Sequence, residues 1–135
     1  IQFRPQPAAG APGAAMSRRI LSTVLLLASL ALPATAMTGE DQADAEIQYL
    51  LDFVAASGCT FVRNGDAHDS ADAADHLRLK YDRCRRYAET AEHFIDRLAS
   101  ASSWSGKLYT VTCGEITQPS GEWLHRALAE YRQQP

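Results

Sequence analysis

The sequence predicts an α+β fold, mostly helical, in the order α-β-α-α-β-α, with a two-stranded antiparallel sheet in one small domain. Apolar residues recur at helical spacing in most of the chain after residue 37. Two short runs, residues 59–63 and 108–113, are instead rich in β-branched and aromatic residues. Each of these runs carries one cysteine at its outer end.

In chain order, residues 1–15 are rich in Pro, Ala and Gly, lack a starting Met, and are read as an upstream or non-native extension. From Met16 the pattern becomes Ser17-Arg18-Arg19, a 13-residue apolar run over 20–32, then Pro33 and Ala34-Thr35-Ala36. A basic start, a short apolar stretch and an A-x-A site mark a secretory signal peptide over 16–36, cut after Ala36. The run is shorter than the ~20 residues a stable span needs, so no membrane span is expected after cleavage. The expected product is periplasmic, a single domain over residues 37–135, acting as a monomer.

Thr38 suits the cap of a first helix whose stripe is Ile47, Leu50, Leu51 and Val54, ended by Ser57-Gly58. Residues 59–63 form the first strand, and Asn64-Gly65 turns the chain. Asp69 or Ser70 caps a second helix with the stripe Ala74, Leu77, Tyr81, Cys84 and Ala88. The stripe continues through Ala91, Ile95 and Leu98, but one helix of that length is long for so small a domain. A break is therefore predicted between Tyr87 and Thr90, the latter a fair cap. A Ser-rich loop over 100–106 leads to the second strand, 108–113. Ser120 then caps a last helix with Trp123, Leu124, Ala127, Leu128 and Tyr131 facing in.

Three cysteines allow one internal pair. If the central helices form a hairpin, the two strands run antiparallel. Cys59, opening one strand, then stands opposite Cys113, closing the other, with Phe61 facing Val111 and Arg63 facing Tyr109. A parallel crossover would separate the cysteines by ~16 Å, beyond the roughly 4.4–6.8 Å between Cα atoms that a disulfide tolerates. Cys84 lies on a helical apolar stripe, where a free thiol behaves as a small hydrophobe. The predicted bridge is Cys59–Cys113.

Charge narrows the function. Of thirteen basic residues, Arg4, Arg18 and Arg19 precede residue 37, leaving ten against sixteen acidic ones, a net charge of −6. Nucleic acid is then a poor partner. The cluster Arg78, Lys80, Arg83, Arg85 and Arg86 alternates with apolar helix positions and reads as a solvated face.

Several motifs together carry a resemblance. They are Ser57-Gly58-Cys59-x-Phe61-x-Arg63-Asn64-Gly65, His76-Leu77-Arg78-x-Lys80, Thr90-Ala91-Glu92-x-Phe94-Ile95, and Ser102-Ser103-x-Ser105-Gly106 with Tyr109-x-Val111 and Trp123-Leu124. The set resembles the YfeK-like family of small exported proteobacterial proteins of unknown function, from about Tyr49 to Arg132. That resemblance implies a periplasmic location and no particular activity. Cys84 stands outside the family's pattern.

The chemistry of individual motifs is thin. The stretch ending in Gly106-Lys107 lacks the first Gly of a phosphate loop, and Leu108 replaces the metal-binding hydroxyl. No G-x-S-x-G, S-x-x-K or C-x-x-C is present. Asp72 and His76, four apart on one helix face, could converge on a metal with His68 as third ligand, but the calcium-loop template fails. No metal or cofactor is expected, and His76 is assigned a structural hydrogen bond to the turn around Asn64. An anion at the second helix's N-terminus would gain from Arg63 but face Asp66, Asp69 and Asp72.

The functional expectation is a non-catalytic binding or accessory module for a protein or envelope component. Its candidate surface is Arg63, Asn64, Gly65, His76 and Lys80. The alternative is a small metal-dependent or hydrolytic enzyme using Arg63, His68, Asp72 and His76.

Overall fold

The computed structural model describes Gly10 and residues 31–135. The rest of the upstream extension, the Ser17-Arg18-Arg19 segment and most of the apolar run lie outside the described residues. The elements below all fall within the compact unit Thr35–Pro135.

Helix α1 (Gly39–Ala56) begins at Thr38 in a capping box: Thr38 Oγ1 accepts from the Asp41 amide, and the Asp41 carboxylate accepts from the Thr38 amide. Ile47, Leu50, Leu51 and Val54 form its buried stripe, each such side chain contributing roughly 1.5–3 kcal/mol by leaving water. Strand β1 (Thr60–Arg63) follows, and here the first correction enters. Asn64 and Gly65, with φ of 50° and 85°, make a two-residue hairpin turn into a second strand, β2 (Asp66–His68), rather than leading straight to a helix. Helix α2 (Ser70–Cys84) is capped by Asp69, which accepts the Asp72 amide at 2.8 Å. Ser70 Oγ instead donates to the Ala55 carbonyl at the end of α1.

The predicted break is present. A 3₁₀ turn (Arg85–Tyr87) ends the run, and Thr90 caps α3 (Ala91–Phe94), which passes into a π-helical turn (Ile95–Ala99). Ala74, Leu77, Tyr81, Ala88, Ala91, Ile95 and Leu98 are buried as expected, and Cys84 is a half-buried free thiol. Strand β3 (Thr110–Cys113) and strand β4 (Ile116–Pro119) form a second hairpin before α4 (Ser120–Arg132).

The sheet thus has four strands in the order β2-β1-β3-β4, all antiparallel, where two were expected. The two that the sequence hid are the edges. Asp66-Ala67-His68 holds no β-branched residue, and β4 ends in Pro119, which is tolerated only at an edge. The central pairing follows the expected register, Phe61 opposite Val111 and Thr60 opposite Thr112. One step outward, Cys59 and Cys113 are disulfide-bonded with 4.6 Å between Cα atoms. Tyr109 falls just before β3, and Leu108 pairs only through an isolated bridge to Ala101.

Ser120 is also reassigned. It is the first residue of α4, not its cap, and its buried hydroxyl donates to the Ala99 carbonyl at 2.6 Å. Pro119 occupies the cap position without a side-chain bond. Beside it, a Cβ on Gly121 would collide with Ser100 Oγ and force that hydroxyl off its bond to the Ile95 carbonyl. Leu124, Ala127 and Leu128 are buried, while Trp123 and Tyr131 are half-buried in an aromatic row with Phe53 and Tyr49.

Candidate functional site

The β1–β2 turn, the middle of α2 and the Ser-rich loop converge on one open groove of about 440 Å³. Arg63, Asn64, His76 and Lys80 all border it, together with Arg83, Asp66 and Tyr109. Four of the five residues of the expected surface are therefore brought together. Gly65 is exposed in the turn beside them and does not line the groove.

Each is held by a specific contact. Asn64, at a positive φ that Asn tolerates, donates from Nδ2 to Ser102 Oγ at 3.2 Å and accepts from Ser105 Oγ at 2.5 Å. Ser102 Oγ also accepts the Trp104 and Ser105 amides, so one buried serine shapes the loop and ties it to the hairpin. Lys80, one helical turn past His76, donates to the Ala101 carbonyl at 3.4 Å and the Tyr109 hydroxyl at 3.2 Å. Its ammonium lies 5.1 Å from the Tyr109 ring centre. Burial, and to a lesser degree Arg63, lowers the Lys80 pKa from its ordinary value.

His76 does not bond the Asn64 turn, as the sequence suggested. Its Nδ1 lies 2.5 Å from Arg63 Nη1. A guanidinium only donates, so Nδ1 accepts and the ring's single proton resides on Nε2. Burial, then Arg63, Lys80 and His68, push its pKa down to about 4, so the ring is neutral at pH 7. The reason for the correction is reach. The Arg63 side chain extends from the strand end onto α2, whereas the short Asn64 amide is occupied by the serine loop.

The tautomer bears on metal binding. A neutral His76 offers no lone pair at Nε2, and its Nδ1 lone pair is committed to Arg63. Among the described residues no group of three His, Cys, Asp or Glu side chains stands together as a metal site. His68 and Asp72 do border a second, smaller cavity with Arg63 and His76.

Sequence reasoning missed Trp104. It is 91% exposed at the tip of the Ser-rich loop and borders the groove, as does the exposed Leu79. A tryptophan between serines in a loop with no helical or strand periodicity was the available signal, since large exposed aromatics mark contact surfaces.

Comparison with known proteins adds the following. A family of unknown function, DUF5329, matches residues 41–132. Over 95 residues the chain is 44% identical to "Uncharacterized protein YfeK" of Salmonella typhimurium (strain LT2), covering 70% of this chain and 77% of that protein. No solved structure matches. The matched region runs from the first turn of α1 to the end of α4 and includes every residue of the groove and both bridged cysteines. The chain belongs to the YfeK-like family of unknown function DUF5329.

Proposed function

We propose that this chain is an exported periplasmic protein that acts as a non-catalytic binding or accessory module, its partner a protein or envelope component presenting acidic groups. The observation that carries this reading is the exposed indole of Trp104 beside the cations Arg63, Lys80 and Arg83 in one open groove. Only one carboxylate, Asp66, faces them there. An exposed aromatic supplies contact area at low entropic cost, and the cations supply charge-assisted bonds to a partner. The groove is therefore locally basic on a region 37–135 whose net charge is −6, which directs an acidic partner to this face.

The decisive comparison is retention of periplasmic components on the immobilised oxidised protein against Arg63→Met and Trp104→Ala, with thermal unfolding of all three. Trp104→Ala is expected to cost about 1 kcal/mol or less of stability, and Arg63→Met, which leaves His76 Nδ1 without its donor, about 1–3 kcal/mol, while retention falls sharply in both. Folded variants that retain the same components undiminished would remove this face from consideration.

A further inference from the structure

The smaller cavity, about 60 Å³, lies where β1, β2, α2 and the start of α4 meet. A water needs about 10–15 Å³ on this measure, so the space suits a group of roughly four to six heavy atoms. Its walls are mostly apolar, Phe61, Leu77 and Leu124 among them, with Arg63, His68, His76 and Asp72 as the ionisable members.

Two of the residues that line it carry a buried nitrogen without a hydrogen-bond partner, His68 Nε2 and His76 Nε2. Buried polar groups are nearly always satisfied, so each orphan asks for a reason. For His76 the kind of partner is determined: Arg63 occupies Nδ1 as donor, so Nε2 carries hydrogen and requires an acceptor. A cation cannot fill that role.

We propose that this cavity binds the carboxylate of a small monocarboxylic acid, free or as the end of a larger molecule, with His76 Nε2–H as donor and Arg63 as counter-charge. The apolar walls take a short alkyl stem, and the guanidinium bordering the cavity compensates the buried negative charge. Burial is the main reason His76 stays neutral and disfavours any bare charge there, but the neighbouring cations Arg63 and Lys80, which also repel its proton, favour an anion over a cation at the same place. Asp72, exposed but bordering the cavity, limits the ligand to one negative charge, since a phosphate dianion would meet its carboxylate. The cavity shares Arg63, His76 and Tyr109 with the groove, but its small apolar space takes a different ligand, and Trp104→Ala, which alters the groove alone, tells the two roles apart.

The test uses the oxidised full chain at pH 7 and constant ionic strength, titrated with sodium propionate while the His76 ring nitrogens and thermal unfolding are followed. A saturable shift of His76 Nε2 with a rise in Tm is expected for propionate, and neither for propionamide or phosphate. Arg63→Met should weaken propionate at least about tenfold, whereas Asp72→Asn should strengthen it and admit phosphate. A short peptide with a free C-terminus binding at least tenfold tighter than propionate would make a chain terminus the source of the carboxylate. Equal binding would make it a free small acid. No saturable response to propionate, an undiminished response in folded Arg63→Met, or equal binding of the C-terminally amidated peptide overturns the proposal.

Discussion

At the scale of the residue, Arg63 and His76 define each other. The guanidinium assigns the ring's tautomer, and together with burial it keeps the ring neutral by lowering its pKa from 6.5 to about 4. In the unfolded chain the same imidazole takes up a proton below about pH 6.5. Between pH 6.5 and 4 the unfolded state therefore binds more protons, and stability falls as pH drops through that window. Glu46 and Glu92, whose pKa values are lowered mainly by hydrogen bonds from Arg132, contribute stability above their unfolded value of 4.5 and lose it only below. Tm should thus decline from pH 7 to pH 5 in the native protein and decline less in His76→Gln. Parallel declines in the two would show that His76 is not the group responsible. The pairing was half legible: Arg63 and His76 both belong to the surface expected from the sequence, but their contact depends on the reach of one rotamer.

At the scale of the element, α4 is docked on α1 by apolar packing and one ion cluster. Arg132 Nε and Nη2 each donate to a Glu46 oxygen at 2.8 Å, and Nη1 donates to Glu92 at 2.5 Å. Glu46 is only 5% exposed, so its carboxylate depends on that partner. Arg132→Met should cost about 3 kcal/mol by leaving a buried charge unpaired, and Glu46→Leu in the same chain should restore most of it. Urea midpoints of the single and double variants check this; additive losses would mean that the pair is not coupled. Nothing in the spacing announces a contact across 86 residues. Glu46 sits beside Ile47 in α1, and its partner Arg132 comes from the far end of α4. The edge strands were obscured for a related reason. Strands at a sheet edge bury little, so their sequences need no hydrophobic alternation.

At the scale of the whole molecule, the disulfide and the β1–β3 pairing tie the strand that follows α1 to the hairpin that precedes α4. The Cys59–Cys113 bridge closes a separation of 54 residues, on the order of 4 kcal/mol in the chain-entropy account. Disulfides of this kind persist in oxidising compartments, which agrees with the export proposed from residues 16–36. No helix among the described residues is long and apolar enough to cross a membrane. Protein recovered from the periplasm should begin at Met37, and a thiol reagent applied after unfolding without reductant should label Cys84 alone. A mature chain retaining residues 20–32 would refute the export reading, and label at Cys59 or Cys113 would refute the bridge.

The central strand register and its disulfide rest on an assumed helical hairpin together with disulfide geometry. Beyond them, the sequence by itself determined what local physics controls: the Thr38 cap, the second cap to within Asp69 or Ser70, the four helical stripes and the break before Thr90. These follow from side-chain periodicity and from hydrogen bonds between residues close in the chain. Tertiary structure alone decided the edge strands, the Ser120 hydroxyl buried against Ala99, the tie between Asn64 and the Ser-rich loop, and the Arg63–His76 pair. Apart from the edge strands, whose hairpins are local but bury little, each joins segments 13 or more residues apart. Local pattern carries no record of such partners, because polar side chains acquire them only once the chain has closed around the core.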